Sequence, residues 1–518
     1  MRLRAVALRA RRSDPAGPSQ FPAAATQYGV GVGAGHRIAI IGAGFSGLGA
    51  AIRLRAAGFD DFVVLERAAE VGGTWRDNSY PGCQCDVPSH LYSYSFAPNP
   101  EWSRTFSRQR EIWEYLRACV ERFELGPNLR LGVEVRECHW NSSERLWLLE
   151  TGAGRLSARV VVAAMGALSE PSLPVLPGIE RFAGPLFHSA AWRHDVELRG
   201  ARVAVLGTGA SAIQVVPEVQ PLAEELVVYQ RTPPWILPHP DRAIGAREQA
   251  LYRRAPAAQR AVRGAIAWSR DLLVVGFRHP RLGLPLARQA RRHLERQVAD
   301  PRLREHLRPN YRFGCKRVLL SNRYYPALRQ PNVTLVPHAV TEIREQSVVA
   351  ADGIERPADV IVAATGFHIG AAAGRIRGAD GRTLAEHWRG SPSAHRGTTI
   401  AGFPNLFMML GPHTGLGHTS ILLMIESQID YLLGALRAMD AGRLAALEPS
   451  PDAQAAFVAS VRRRARGTVW ESGGCASWYL DGAGHSILWP DSAWRFRRAL
   501  RRFDVESYVA APYSSGSR

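Results

Sequence analysis

Two glycine-rich runs of this 518-residue chain have the make-up of a phosphate cradle. The first, Gly42-Ala-Gly44-Phe45-Ser46-Gly47, follows the apolar, β-branched run 37–41 and precedes a helical stretch, 48–57, which is the strand, turn and helix order of a dinucleotide site. Gly42 permits the tight turn, Gly44 lets a pyrophosphate approach the backbone, and Gly47 lets helix pack on strand, so the phosphates meet the helix N-terminus. A second strand, 62–65, ends in Glu66. A carboxylate there accepts from ribose hydroxyls and repels a 2′-phosphate, which favours FAD or NAD over NADP. The second run, Gly207-Thr208-Gly209-Ala210-Ser211-Ala212, has alanine in place of the last glycine, and a helix is predicted to about Val219. Its next strand, 226–229, ends in Gln230-Arg231-Thr232. The acid is replaced there by an arginine, which suits the 2′-phosphate of NADP. Two dinucleotides in one chain must meet, and the chemistry open to them is hydride transfer to a flavin.

One more cation belongs to this set. Lys316 is the only lysine among 65 basic residues, and it adjoins Arg317. An ammonium is a point charge and a guanidinium a planar fork, so a site shaped for one need not accept the other. We expect Lys316 to contact the NADP phosphate while Arg317 faces the flavin.

The segment between the turns, Phe182-Ala-Gly184-Pro-Leu-Phe-His188-Ser-Ala-Ala-Trp192, resembles the fingerprint of the Baeyer-Villiger monooxygenases, F-x-G-x-x-x-H-x-x-x-W followed by Pro or Asp. Phe182, Gly184, His188 and Trp192 match, and Arg193 departs from it. A second family pattern is similar throughout: Gly72-Gly73-Thr74-Trp75, then Tyr80-Pro81-Gly82, then Asp86. Asp359 with Ala364-Thr365-Gly366-Phe367 resembles the second flavin-contact segment, and the resemblance runs from about residue 37 to 498. It implies a type I Baeyer-Villiger enzyme of the flavin-containing monooxygenase superfamily, in which NADPH reduces FAD, oxygen adds at flavin carbon 4a, and the deprotonated peroxide converts a ketone to an ester or lactone. It also implies that Arg317 stabilises the anionic oxygen and that Asp86 orients Arg317. Elementary electrostatics agrees: an anion needs a fixed positive group, and a buried guanidinium needs a carboxylate to hold it. His188 is given a structural or gating role between domains. Relatives that oxygenate nitrogen share the first part of the fingerprint but carry Tyr or Phe where Trp192 stands, so Trp192 favours ketone oxidation.

An α/β fold with two Rossmann-like domains, one for FAD and one for NADP, must position these residues. The expected division is a disordered leader over 1–35, a discontinuous FAD domain over 36–175 and 332–518, and an NADP domain over 176–331. Residues 242–308, rich in Ala, Arg, Leu and Gln, read as a helical insertion whose apolar stretch 266–277 could touch a membrane or form a substrate lid, with burial within the insertion as the default expectation. Trp478 reads as a core aromatic, with closure over the nicotinamide as the alternative, and His413 and His418 as packed or exposed rather than catalytic. The net charge of +19 comes from arginines spread along the chain without a nucleic-acid motif, so nucleic acid is not an expected partner. Six scattered cysteines with no C-x-x-C pair indicate neither a metal site nor a disulfide framework. No apolar run reaches the roughly 20 residues of a membrane span, so a soluble, cytoplasmic protein is expected. The substrates are then a small ketone and molecular oxygen. Rival readings are an amine or sulfide oxygenase, a disulfide reductase using Cys83-Gln-Cys85, whose spacing is cramped for a disulfide, and a flavin-bound sensor.

Overall fold

A computed structural model describes residues 35–513, and the arginine-rich leader lies outside them. Ile38 to Ile41 are buried without interruption, as befits a strand covered on both faces. They belong to β1 (Gly35–Ile41), which pairs in parallel with β2 (Phe62–Glu66). β2 in turn pairs with β3 (Leu129–Leu131). On the other side the sheet continues through the antiparallel β4 (Val135–Asn141), β5 (Leu146–Thr151) and β6 (Gly154–Ala163), the last of which runs parallel to β1. Ile376–Arg377 pairs with β4 and Leu406–Met408 with β6, which completes eight strands. Alternate residues divide between two cores. Ile38 and Ile40 share one with helix α1 (Phe45–Ala56), and Ala39 and Ile41 share the other with Trp147 and Phe403.

The second sheet is parallel throughout, in the order Val333–Val336, β9 (Glu225–Tyr229), β8 (Arg202–Leu206), Val360–Ala363 and β7 (Leu186–His188). This corrects the expected return to the first sheet at residue 332. Val333 pairs with Leu226, and Val360–Ala363 lies between β8 and β7, so the chain rejoins the first sheet only after Ala363. The two crossing segments pair with each other: Pro171 bridges Phe367, and the N–H of Ser172 reaches the carbonyl of Gly366 at 2.9 Å.

Between β9 and Val333–Val336, five helices, from Ala246–Arg254 to Pro301–His306, form the insertion. Its apolar stretch is not buried as expected. Val274 and Phe277 are buried, whereas Trp268, Leu272 and Val275 face outward. The cysteine reading also needs amendment, because Cys315 and Cys475 form a disulfide across 160 residues of chain. Cys83 and Cys85 are free, buried thiols, and burial pushes Cys83 up to about 12. No helix of the described residues is long and apolar enough to cross a membrane, and no His/Cys/Asp/Glu cluster among them could hold a metal.

Candidate active site

The two glycine turns repeat one local construction. The N–H of Gly42 donates to the carbonyl of Leu65 at 2.8 Å, and that of Gly207 to Tyr229 at 3.0 Å. Each glycine has a positive φ, +103° and +108°, and a Cβ at either would stand 2.6 Å from a carbonyl, that of Ala164 or Ala364. Only glycine meets both demands. A Cβ on Gly47 would stand 1.8 Å from the Gly42 carbonyl, so its role is the close packing of α1 on the turn. Helix α1 begins at Phe45 with no acid in its first turn, and its free N–H groups and dipole make an anion site. The Glu66 carboxylate is buried and also builds this turn, accepting from the N–H of Ala43 at 2.8 Å and from Arg76 at 3.0 Å. A carboxylate offers about four lone-pair positions, so capacity remains for a ribose hydroxyl. Gly73 backs the turn directly, since its Cβ would approach Gly44 Cα to 3.2 Å.

Both turns open into one cavity of about 1370 Å³, lined by residues of the two sheets. That exceeds the roughly 300–1,000 Å³ of a single small-ligand pocket. Gly42, Gly44, Phe45, Ser46, Glu66, Gly73, Thr74, Trp75, Tyr80 and Asp86 line it on one side. Gly207, Thr208, Gly209, Ala210, Ser211, Arg231, Thr232, Lys316, Arg317, Thr365 and Gly366 line the other. The structure thus brings every residue expected at the cofactors to one space except Gly47, which packs behind it. The fit to two dinucleotides rests on the paired turns, each with a helix N-terminus aimed at the cavity, and on the cations of the second.

Lys316 and Arg231 sit close enough for each to bear on the other, and burial together with Arg231 lowers the lysine below its ordinary value. Neither makes an ion pair among the described residues. Two neighbouring cations without a carboxylate could hold an anion, and the strand end after the second turn is where an arginine meets the 2′-phosphate in NADP-binding folds.

Arg317 is held quite differently. Its Nε and Nη2 donate to the two Asp86 carboxylate oxygens at 2.8 and 2.7 Å, and Nη1 reaches the Leu416 carbonyl at 3.4 Å. About a third of each side chain remains accessible, 34% for Arg317 and 30% for Asp86, and both line the cavity. The carboxylate beside it raises Arg317. Burial would raise Asp86, but the guanidinium outweighs it and holds the acid below its ordinary value. The pair is therefore ionised over the whole physiological range. Tyr479, buried, faces the same guanidinium. Its neighbour Trp478, expected in the core, is half-exposed at the cavity rim. The disulfide at Cys475 ties this segment to the residue before Lys316.

The fingerprint residues build the junction between the sheets. A Cβ on Gly184 would stand 2.2 Å from the Asp359 carbonyl, so glycine lets β7 lie against Val360–Ala363. Asp359 accepts from Arg202 Nη2 at 2.6 Å and thereby locks the same strand to β8. His188 ends β7, buried, with Nδ1 accepting from the N–H of Ala190 at 3.1 Å and its ring edge-on to Phe367. Burial lowers His188, which keeps it neutral. Trp192 packs edge-on against Phe187, and neither it nor Phe182 nor Gly184 reaches the cavity. His418 pairs with Asp271 at 3.1 Å and His413 is buried, so both are packed.

Sequence reasoning missed Gln214. This residue of the helix Ala212–Val219 accepts from the Tyr80 hydroxyl at 3.0 Å and donates to the Gln84 carbonyl at 2.9 Å. A Cβ on Gly82 would meet the Gln214 carbonyl at 2.7 Å. The segment leading to Asp86 is thus fastened to the second nucleotide turn, a link whose only sequence signal was Gly82.

Comparison with known proteins matches this geometry. Residues 35–246 fit the family described as flavin-binding monooxygenase-like. The chain is 52% identical to a Baeyer-Villiger monooxygenase of Streptomyces coelicolor over 93% of its own length and 94% of that protein. Its structure is similar to the closed crystal structure of cyclohexanone monooxygenase, with a TM-score of 0.83 and 29% identity over 93% of this chain and 100% of the other. It is also similar to the OTEMO complex with FAD and NADP, with a TM-score of 0.84 and 26% identity over 92% of this chain and 99% of that one. Two dinucleotide cradles on one cavity, an arginine fixed between them and identity of this extent lead to one conclusion: the chain belongs to the Baeyer-Villiger monooxygenases and is an NADPH-dependent FAD monooxygenase.

Proposed function

We propose that the chain converts a ketone to an ester or lactone, with Arg317 as the catalytic cation and Asp86 as its positioning residue. Bound FAD, reduced by NADPH, supplies the oxygen-activating chemistry. The protein's part is electrostatic: a fixed, permanently charged guanidinium stabilises negative charge that develops on oxygen beside the flavin. Asp86 takes two of the guanidinium's five donors, and Arg317 lines the cavity. Lys316 and Arg231 receive the 2′-phosphate of NADPH, Glu66 accepts from the FAD ribose, and the α1 N-terminus faces the FAD pyrophosphate. The residues from Gly73 to Tyr80 line the flavin side, and Thr365 and Gly366 close the junction.

One observation carries this reading: the bidentate Arg317–Asp86 pair opens into the space shared by both nucleotide turns. An Arg317→Ala variant should still bind FAD and oxidise NADPH while ester formation falls about 10²–10³-fold, with hydrogen peroxide released instead. Ester yield at the wild-type ratio to NADPH consumed refutes the role.

A further inference from the structure

We propose that the helical insertion and the helix Ala493–Leu500 together form a docking surface for an anionic phospholipid bilayer. Five large apolar side chains are exposed on this one face: Trp268 at 61%, Leu272 at 49%, Val275 at 40%, Leu282 at 61% and Trp494 at 63%. Backbone contacts place them together. The N–H of Leu272 reaches the carbonyl of Trp268 at 3.2 Å, one helical turn back, and that of Val275 reaches Leu272 at 3.1 Å. The turn carrying Leu282 lies against Val274–Arg278, since a Cβ on Gly276 would stand 3.4 Å from Gly283 Cα. Asp271 accepts from the N–H groups of Ala493 and Trp494 at 2.7 and 3.3 Å, which brings the last helix beside Leu272.

Charge supports one kind of partner. Residues 246–308 carry fifteen arginines against five acids, a net +10 of the chain's +19. Residues 493–502 add five arginines and no acid. On that last helix Phe496 and Leu500 are buried, while Trp494, Arg497, Arg498 and Arg501 follow the spacing of a single outward face. Among the described residues only Arg495 of these five arginines forms an ion pair, with Asp491. Tryptophans at headgroup depth, aliphatic side chains below them and arginines on the phosphates are the elements of an interfacial surface. A second copy of this chain would bring two strongly positive faces together. A nucleic acid would use the arginines and tryptophans but leave Leu272, Val275 and Leu282 exposed.

The surface is the outer side of the shell behind Arg317. Arg270, on the helix Pro256–Asp271, bears electrostatically on Asp86, and Phe277 packs against Gly314. Docking would set the enzyme where apolar carbonyl compounds accumulate.

The test is sedimentation of the full-length holoenzyme with vesicles of phosphatidylcholine alone or mixed with phosphatidylglycerol. Binding should require phosphatidylglycerol, and bromine-labelled lipid tails should quench tryptophan fluorescence. The variant W268S/W494S should bind about tenfold more weakly and lose the quenching, and R497Q/R498Q/R501Q should weaken binding at low salt. FAD content and NADPH oxidation should be unchanged in both, which shows that each has folded. Absence of sedimentation with phosphatidylglycerol, or equal binding by wild type and W268S/W494S, overturns the proposal. A wild-type dimer that W268S/W494S dissolves, without any change in vesicle binding, would assign the face to self-association and overturn it equally.

Discussion

Replacing Asp86 by Asn tests the site most directly, because the change removes one charge and almost no volume. In the wild type, Arg317 makes two charge-assisted hydrogen bonds to Asp86, at 2.8 and 2.7 Å, and a longer one to Leu416 at 3.4 Å. The amide of Asn offers one oxygen, so one bond persists with a neutral acceptor and the other faces an NH₂ group. Each charge-assisted bond is worth roughly 1.5–3 kcal/mol. With 34% of Arg317 and 30% of Asp86 accessible, solvent screening reduces the loss to about 2–3 kcal/mol. In a cooperative unit of 150–250 residues that corresponds to a melting temperature lower by about 4–12 °C. The catalytic effect should be larger, since a guanidinium free to turn toward Leu416 no longer waits at the reacting oxygen; ester formation should fall about 10²–10³-fold. The assay measures ester and hydrogen peroxide per NADPH consumed, alongside thermal unfolding. FAD reduction by NADPH should be nearly unaltered while peroxide replaces ester. A D86N enzyme that melts lower yet couples NADPH to ester as wild type does would show that the pair serves the fold alone, and the reasoning about charge fixation would fail.

Lys316→Ala should raise the KM for NADPH about 10- to 100-fold, the cost of one charged hydrogen bond, and leave NADH use little changed; equal effects on both coenzymes would remove Lys316 from the phosphate. Because burial and Arg231 lower the lysine, it loses its proton below the usual lysine range, so NADPH affinity should weaken as pH rises through that lowered value, a dependence that K316A or NADH should abolish. Gly184→Ala places a methyl where the Asp359 carbonyl stands 2.2 Å away; unfolding by heat should show about 1–3 kcal/mol of destabilisation, and an unchanged melting temperature would mean that β7 yields freely. Cys475→Ser should cost about 2–4 kcal/mol, and a thiol reductant should lower the wild-type melting temperature toward that of the variant; no response to reductant would show that the Cys315–Cys475 bond contributes nothing.

The contrast between what was legible in the sequence and what was not has a physical basis. Gly42, Gly207 and Glu66 could be read because a turn, its strand and its helix lie within about thirty residues, where spacing dictates geometry. Val333–Val336 could be recognised as a strand, but its pairing with Leu226 rather than with the first sheet is a contact across more than a hundred residues. The bond between Cys315 and Cys475 and the link from Tyr80 to Gln214 are of the same long-range kind. At Trp478 and the stretch 266–277 the default expectation, apolar residues inside, gave way to the alternative of an outward position: Trp478 lines the cavity rim and Trp268 faces outward. Trp478 lies at the cavity that holds both nucleotide turns, and Trp268 on the face proposed above to dock on a bilayer.

Lys316 and Arg317 show the same logic in two adjacent residues. One cation is matched by a carboxylate in bidentate geometry, which fixes its position and keeps it charged. The other stands beside Arg231 with burial already pulling it toward neutrality. A matched charge gains little from a further partner and serves as a rigid electrostatic fixture, whereas an unmatched pair of cations is relieved only by an anion. The pattern of compensation therefore supports the different duties proposed for the two residues: Arg317 at the reacting centre, and Lys316 with Arg231 at the coenzyme phosphate.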